Sequence, residues 1–284
     1  MNGSGWDRSW PAPAKLNLFL HIVGRREDGY HLLQSVMRLI DCCDGVRFSP
    51  LRTSRVVLAK PLQDVEEGRE LCVRAARLLQ AQTGCQNGVE ISIDKNIPMG
   101  GGLGGGSSDA ATTLMVLNGL WNLGLKRKHL AEIGLKLGAD GPFFIFGQNA
   151  FAEGIGERLA PMALPAAWYL VLVPPVSVPT KEIFANLNLT QNTKSIKISS
   201  FSVGFGHNDL ESAVCSRYPV VARYLDWLKA YGDARMTGSG ACVFTEFSTE
   251  AQARAVASRL PLDMRGFVVR GLDRHPLEEG LDAG

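Results

Sequence analysis

A run of glycine and serine is the most chemically informative part of the 284-residue chain. It covers residues 98–108, where eight of eleven positions are glycine or serine. Before it, apolar and polar residues alternate over 89–93, as in a half-buried strand. After it, the apolar segment 109–121 predicts a helix, with Ser107 or Ser108 as its expected N-cap. A glycine loop between a strand and a helix start turns main-chain N–H groups toward an anion, so we predict that this loop binds phosphate.

Other interpretations of the glycine loop are weaker. A flexible linker is not usually flanked directly by a strand and an apolar helix. Gly100, Gly102 and Gly105 satisfy the dinucleotide pattern G-x-G-x-x-G, but no acidic residue follows about 20 residues later to hold a ribose. A P-loop would need lysine where Gly106 stands, before Ser107, and the protein-kinase tripeptides H-R-D and D-F-G are absent. The pattern favours a phosphate site of another type.

Two polar residues near the start of the chain share one face of a predicted strand. Apolar residues alternate with others over 11–22, which predicts a strand after the two prolines at its start. Lys15 and Asn17 fall on the same face, opposite Leu16 and Leu18. They belong either to a solvated edge or to a site.

A carboxylate stands at a second informative place. Asp140 follows a predicted helix over 128–137, and the very apolar segment 143–146 comes soon after it. Aspartate in such a position is often only a turn-former. Against an apolar wall, however, a carboxylate needs a partner, and functional carboxylates occupy such positions.

Composition excludes several classes of protein. Hydrophobic residues make up 45% and charged residues 20% of the chain, and the net charge is +2. This balance is that of a globular protein and does not indicate a nucleic-acid or membrane-surface partner. No apolar run approaches the 18 to 20 or so residues that span a bilayer, and the first nine residues lack an apolar signal core. The six cysteines have no metal-binding spacing, so we expect reduced thiols in the cytoplasm.

The predicted elements mix strands and helices without a regular βαβ alternation, which indicates an α+β fold. The proline-bearing segment 160–167 is the expected boundary between an N-terminal domain, 1–163, and a C-terminal domain, 164–284. The pattern predicts helices over 66–83, 128–137, 209–216, 220–231 and 251–260, and strands over 11–22, 46–48, 51–59, 168–175 and 266–270, with an apolar segment over 32–40.

Three segments in this order resemble the three motifs of the GHMP kinase superfamily. They are Pro-Ala-Lys-Leu-Asn at 13–17, the glycine loop at 98–108 and Met-Thr-Gly-Ser-Gly-Ala at 236–241. Asp-Gly-Tyr-His at 28–31 and Gly-Ala-Asp at 138–140 further resemble the branch of the superfamily that phosphorylates a cytidyl diphosphate. The resemblance covers roughly residues 10 to 275.

The resemblance implies a two-domain α+β fold whose N-terminal domain is like ribosomal protein S5 domain 2, with the substrates in the cleft between the domains. It implies transfer of the γ-phosphoryl group of ATP, with Mg²⁺, to the 2-hydroxyl of the methylerythritol part of a small-molecule cytidyl diphosphate. The products would be ADP and the 2-phosphate, on the non-mevalonate route to isoprenoids. Another alcohol kinase of the superfamily and a catalytically silent nucleotide-binding regulator are the alternatives.

The resemblance also implies roles for single residues. Asp140 would accept the hydroxyl proton, with Lys15 beside it to keep the carboxylate ionised. Ser107 or Ser108 would help to place Mg²⁺. The expected ATP-binding residues are Lys95, Pro98, Met99, Gly100, Gly101, Gly102, Leu103, Gly104, Gly105, Gly106, Ser107 and Ser108.

The same comparison assigns residues to the cytidyl substrate. A pyrimidine needs stacking partners and a hydrogen bonder at its edge. Tyr30 and Phe184 are the expected stacking partners, and His31 is expected at the edge. Asn17 and Thr180 are the expected contacts to the diphosphoerythritol part.

Two positions depart from the pattern of the superfamily branch. Glu70 stands where asparagine is expected, which changes how adenine would be held if this position touches the base. Gly141, after Asp140, replaces a larger apolar residue, so less support is expected for the carboxylate.

Overall fold

The computed structural model describes residues 5–61, 70–186, 193–202 and 204–277. Strands and helices alternate irregularly in this part of the chain, as predicted for an α+β protein. The strands are β1 (Trp10–Arg25), β2 (His31–Leu51), β3 (Val56–Leu58), β4 (Gly88–Asp94), β5 (Ala150–Gly154), β6 (Arg158–Pro161), β7 (Trp168–Leu172), β8 (Arg235–Met236), β9 (Val243–Phe247) and β10 (Gly266–Leu272). The helices are α1 (Leu71–Thr83), α2 (Gly105–Leu120), α3 (Arg127–Leu137), α4 (Gly141–Phe146), α5 (Thr180–Asn186), α6 (Glu211–Arg217), α7 (Pro219–Lys229) and α8 (Glu250–Ala257).

Strand β2 organises the sheet. It is 21 residues long and pairs antiparallel with β1 along residues 31–46, and with β5, β10 and β4 at residues 33–37, 39–40 and 45–51. The path β3-β4-β2-β10-β7-β9-β8 therefore joins strands from both halves of the chain into one sheet. The strand predicted over 46–48 is part of this longer strand, which also contains the apolar segment 32–40, because residues 43–45 continue the ladder with β1. Of the strand predicted over 51–59, only Val56–Leu58 forms β3.

Two groups of helices cover this sheet. Helices α1, α2, α3 and α4 pack together around an apolar core with β1, β2 and β4. Helix α2 is buried along most of its length, which fits its apolar sequence. A second core lies between β7, β9 and the helices α6 and α7.

The observed helix ends explain where the sequence prediction was right and wrong. Helix α3 stops before Gly138, as predicted. Helix α1 begins at Leu71 because Glu70 has extended backbone angles and its carboxylate accepts a hydrogen bond from the Val73 N–H. The part of the predicted helix over 66–69 lies outside the described residues. The apolar segment after Asp140 forms the short helix α4.

The boundary segment 160–167 includes the end of β6 and the connection to β7. The division into domains 1–163 and 164–284 stays a prediction. Within the described ranges, no helix has both the length and the apolar character needed to cross a membrane.

Candidate active site

A cavity of about 620 Å³ lies along the glycine loop. Its walls come from β1, β2, the start of α4, the start of α5 and the turn between β8 and β9. All loop residues from Pro98 to Ser107 line it, together with Lys15 and Asp140. The structure therefore brings together segments that are far apart in the chain.

The glycine loop is held between β1 and the β8–β9 turn by main-chain hydrogen bonds. The Lys15 N–H donates to the Leu103 carbonyl over 3.0 Å, and the Cys242 N–H donates to the Gly101 carbonyl over 3.1 Å. Gly102 has a φ of 76°, and a Cβ there would lie only 2.3 Å from the Thr237 carbonyl oxygen. Only glycine allows these two backbones to approach so closely.

Helix α2 begins inside the loop, three or four residues earlier than expected from an N-cap at Ser107 or Ser108. The prediction that a serine caps the helix is wrong: Gly104 is the N-cap, with a φ of 76° and no side-chain cap bond. The first N–H groups of the helix, from Gly105 onward, have no partners within the helix. They lie at the cavity wall with the positive end of the helix dipole, which favours a bound anion there.

Lys15 and Asp140 lie side by side at the loop. The Lys15 Nζ is 3.5 Å from the Asp140 Oδ2, and it donates to the Gly102 carbonyl oxygen over 2.9 Å. The lysine side chain is 3% exposed, whereas that of Asp140 is 35% exposed. A buried ammonium thus adjoins a carboxylate that solvent or a ligand can reach.

A short chain of hydrogen bonds fixes the Lys15 ammonium. Its Nζ donates to the Asn17 Oδ1 over 2.5 Å, and the Asn17 Nδ2 donates to the Ser35 Oγ over 2.8 Å. The Ser35 hydroxyl donates to the Phe19 carbonyl over 2.6 Å. Sequence reasoning missed Ser35. Its position on β2, opposite Leu20 in the register, becomes visible only once the β1–β2 pairing is known.

Asp140 is positioned by a close crossing of α3 and α4. It precedes α4 directly, and a Cβ at Gly141 would lie 2.5 Å from the Gly134 carbonyl oxygen. Glycine at 141 therefore lets the start of α4 contact α3. The small residue at this position therefore has a structural reason, and the expectation of less support for Asp140 stays a prediction.

Lys95 lies in a cluster of charges at the cavity wall. Its Nζ contacts the Asp44 carboxylate and lies 2.8 Å from the Asp109 Oδ2. Asp44 is fully buried and also accepts hydrogen bonds from the N–H groups of Asn96 and Ile97. Burial raises the pKa of Asp109 to about 7, although Lys95 opposes this shift. For Lys95, burial lowers the pKa, but Asp109 and Asp44 outweigh it and the net shift is upward.

The two serines and Glu70 differ in what they present to the cavity. Ser107 lines the cavity, whereas Ser108 is fully buried and is not part of the wall. Glu70 lines the cavity as well, but one of its carboxylate oxygens caps α1. The departure at position 70 thus places a helix-capping carboxylate at the wall.

The residues expected at the cytidyl substrate are more loosely arranged. Thr180 and Phe184, both on α5, line the cavity, and the Thr180 hydroxyl lies 2.7 Å from the Ser239 hydroxyl. The ring of His31 is 5.2 Å from that of Phe184, centroid to centroid, but neither His31 nor Tyr30 is part of the wall. Tyr30 is 61% exposed at the tip of the β1–β2 hairpin.

Family profiles match two parts of the chain. The profile described as GHMP kinases N terminal domain matches residues 70–148, and that described as GHMP kinases C terminal matches residues 194–265. A protein of Thiobacillus denitrificans named 4-diphosphocytidyl-2-C-methyl-D-erythritol kinase is 60% identical over 95% of this chain and 97% of its own length. The chain belongs to this kinase family.

Further comparisons agree with that membership. The family member of Nitrosospira multiformis is 58% identical over 95% of this chain and 93% of its own length. The crystal structure of a 4-(cytidine 5'-diphospho)-2C-methyl-D-erythritol kinase superposes with a TM-score of 0.81 at 32% identity, covering 93% of this chain and 98% of that one. The mevalonate kinase of Methanococcus jannaschii, at 15% identity and a TM-score of 0.67, shares the fold. The predicted GHMP kinase architecture is confirmed.

Proposed function

We propose that this chain transfers the γ-phosphoryl group of ATP to the 2-hydroxyl of 4-diphosphocytidyl-2-C-methyl-D-erythritol. The products are ADP and the 2-phosphate, an intermediate of the non-mevalonate route to isoprenoid precursors. The names of the relatives support this substrate. The observation that carries the proposal is the pairing of Lys15 with Asp140, 3.5 Å apart, at a loop that offers unpaired N–H groups to phosphate.

The glycine loop and the start of α2 bind the triphosphate. Phosphoryl transfer needs mainly correct placement of the reactants and stabilisation of the charge on the transferred group. The N–H groups between Gly100 and Ser107 supply hydrogen bonds whose positions are fixed by the docking of the loop on β1 and on the β8–β9 turn. Little rearrangement is then needed when ATP binds.

Asp140 acts as the general base. Its partly exposed carboxylate is the acceptor for the proton of the substrate hydroxyl. The Lys15 ammonium, 3.5 Å from that carboxylate, stabilises the negative charge that develops on the attacking oxygen. The bonds of Lys15 to Asn17 and Gly102 hold the ammonium in place during this step.

Mg²⁺ is the metal that this chemistry needs. Mg²⁺ on ATP takes most of its ligands from phosphate and water and one or two from the protein. Ser107 lines the cavity at the start of α2, so its hydroxyl would supply such a ligand. Ser107 therefore holds Mg²⁺ in the proposal, and the buried Ser108 does not.

The cytidyl diphosphate occupies the side of the cavity toward α5 and the β1–β2 hairpin. His31 and Phe184 already lie ring to ring, and Tyr30 closes over the cytosine from the hairpin tip. Burial and the nearby Arg25 lower the pKa of His31, so its ring is neutral at pH 7 and accepts a hydrogen bond from the cytosine amino group. Thr180 contacts the diphosphoerythritol part. Asn17 lines the cavity too, and it contacts this part of the substrate while holding Lys15.

The cellular setting completes the proposal. The six cysteines of the chain are free thiols, which agrees with a reducing compartment such as the cytoplasm.

The substrates lie between the N-terminal domain 1–163 and the C-terminal domain 164–284, because the walls of the cavity come from both.

One assay tests the proposal. The purified protein is incubated with ATP, Mg²⁺ and the cytidyl substrate, and ADP and the 2-phosphate are measured. Homoserine and mevalonate in place of the cytidyl substrate serve as controls, because kinases for these alcohols share the fold. If ADP formed only with another alcohol, that alcohol would be assigned as the substrate instead. If the protein bound ATP but phosphorylated none of the three alcohols, it would be a nucleotide-binding regulator.

A further inference from the structure

One turn from the C-terminal half of the chain lies directly against the Lys15 ammonium. It is the turn between β8 and β9, residues 237–242. A Cβ at Gly238 would be 3.3 Å from the Lys15 Nζ and 2.9 Å from the Gly102 carbonyl oxygen. That same oxygen accepts the hydrogen bond of the lysine over 2.9 Å. The position of this turn therefore limits where the ammonium can lie.

The turn is also bound to β1, the strand that carries Lys15. The hydroxyl of the fully buried Thr237 accepts a hydrogen bond from the Asn17 N–H over 3.0 Å. Asn17 is in turn an acceptor for the Lys15 Nζ. Both residues that accept hydrogen bonds from the ammonium, Asn17 and Gly102, are therefore in contact with the turn.

A buried asparagine behind the turn holds it in place. Asn208 is 4% exposed, and its Nδ2 donates to the carbonyl oxygens of Met236 and Gly238, over 2.8 Å in each case. These two carbonyls stand on either side of Thr237 in the chain. The Asn208 Oδ1 accepts a hydrogen bond from the Leu210 N–H over 2.9 Å. Since only an NH₂ group can donate to two carbonyl oxygens, these partners fix the orientation of the amide.

The main chain around Asn208 lies on β1. The Leu20 N–H donates to the His207 carbonyl, and the Asp209 N–H donates to the Leu20 carbonyl, both over 2.9 Å. The backbone at Asn208 is thus bound to the same strand as Lys15, while the Asn208 side chain holds the turn. This residue therefore sets the position of the turn relative to the lysine.

We propose that Asn208 is a positioning residue for phosphoryl transfer, which acts through the β8–β9 turn on the Lys15 ammonium. The inference rests on the proposed kinase function. Asn208 is not part of the cavity wall, so its effect on the reaction is indirect. Its two hydrogen bonds to the turn keep Gly238 and Thr237 against the acceptors of the ammonium. Without these bonds the turn shifts, and a small displacement of a charged catalytic group slows the chemical step strongly.

The main test is Asn208→Asp, which keeps the size of the side chain but replaces the donating NH₂ group with an oxygen that the two carbonyls repel. The kcat is measured at saturating ATP and cytidyl substrate, and the Kd for ATP by calorimetric titration. We expect kcat to fall about 10- to 100-fold. The Kd for ATP should stay within about threefold, because the glycine loop keeps its own bond to β1 between the Leu103 carbonyl and the Lys15 N–H.

A double-mutant cycle separates this role from a purely structural one. Lys15→Met removes the ammonium, so in that background Asn208→Asp should lower the residual kcat by less than about threefold. An equal fold-loss of kcat in both backgrounds would show general damage to the fold and overturn the proposal. A wild-type kcat in Asn208→Asp alone would overturn it as well.

Asn118→Asp is the matched control. The Asn118 side chain also bonds main-chain groups, the N–H and the carbonyl of Leu125, but it lies near the end of α2 and outside the cavity wall. This variant should keep the wild-type kcat.

If Asn208→Asp does not fold, Thr237→Val takes its place in the cycle, because it removes the acceptor for the Asn17 N–H. The same rule applies: a loss of kcat that is independent of Lys15→Met would overturn the proposal. Absence of ADP formation by the wild-type protein would instead count against the kinase function itself.

Discussion

The two ends of the cavity are built differently. At the phosphate end, Lys15 is 3% exposed and its ammonium contacts Asn17, Gly102 and Asp140. At the hairpin end, Tyr30 is 61% exposed, and His31 contacts the ring of Phe184, which lines the cavity. In the proposed function, the contacts of the first end are formed before a substrate binds, whereas the bound substrate would complete the second end.

This difference follows from what each end must do. The charge of a phosphoryl group in transfer is stabilised best by dipoles and charges that need no rearrangement. A cytosine base, in contrast, must enter and leave, and exposed aromatic side chains can close over it afterwards. Changes at the phosphate end should therefore lower kcat, and changes at the hairpin end should raise the KM of one substrate.

The largest effect is expected for Asp140→Asn. The amide cannot accept the hydroxyl proton, so kcat should fall by about 10²- to 10⁴-fold. Because the triphosphate is bound mainly by the loop, the Kd for ATP should change little. Rapid-quench measurement of product together with calorimetric titration of ATP checks both parts. Turnover near the wild-type rate would remove Asp140 from the role of base.

The next effect is expected for Tyr30→Ala. Stacking of a base on an aromatic ring contributes about 1 to 3 kcal/mol, so the KM for the cytidyl substrate should rise roughly tenfold or more. The KM for ATP should stay the same. Tyr30→Phe keeps the ring and is the matched control, with a KM close to that of the wild type. If Tyr30→Ala raised the KM for ATP and the KM for the cytidyl substrate equally, the hairpin would not be a binding site for the cytidyl substrate alone.

A smaller effect is expected for Ser35→Ala. The Ser35 hydroxyl accepts a hydrogen bond from the Asn17 Nδ2 and donates to the Phe19 carbonyl. Without this hydroxyl, Asn17, which accepts a hydrogen bond from Lys15, is held less firmly. We expect kcat to fall about three- to tenfold, with both KM values within twofold of the wild type. Ser49→Ala, on the same strand but at an exposed hydroxyl bonded to Asp7, should leave kcat unchanged. A KM effect in Ser35→Ala without a kcat effect would contradict the proposed positioning.

The smallest effect concerns pH at the hairpin end. Burial and Arg25 place the pKa of His31 below the usual 6.5, so the ring is neutral at pH 7.5 and gains a proton only in more acidic solution. Protonation removes the acceptor for the cytosine amino group, so the KM for the cytidyl substrate should rise a few-fold between pH 7.5 and 5.5. His31→Gln, which cannot titrate, should lose this rise. An identical pH profile in both proteins would remove His31 from the cytosine edge.

The sequence predicted those parts of the molecule that depend on local pattern. The alternation over 89–93 predicts β4, and Gly138 marks the end of α3. The segments that carry Lys15, the loop and Asp140 resemble known motifs, and the structure brings them together. Each of these signals lies within a few consecutive residues.

The features that the sequence did not reveal depend on contacts between distant segments. The start of α2 at Gly105 follows from the φ of Gly104, which the docking of the loop on β1 and on the β8–β9 turn allows. Ser35 and Asp44 look like ordinary polar residues of β2 until their partners on other strands and loops are known. Asp109 stands between two serines and an apolar segment, and its burial at the cavity wall is what the sequence does not reveal.

Strand β2 carries three of the residues discussed above. His31 lies at the proposed cytidyl end, Ser35 belongs to the hydrogen-bond chain of Lys15, and Asp44 contacts Lys95. In the proposed function, the spacing of these residues along β2 therefore sets the distance between the two substrates. An insertion of one residue between Ser35 and Asp44 would turn every later side chain to the opposite face of the sheet. The hairpin tip near Gly29 lies outside the tract from His31 to Asp44, so we expect a change in its length to leave Ser35 and Asp44 in place.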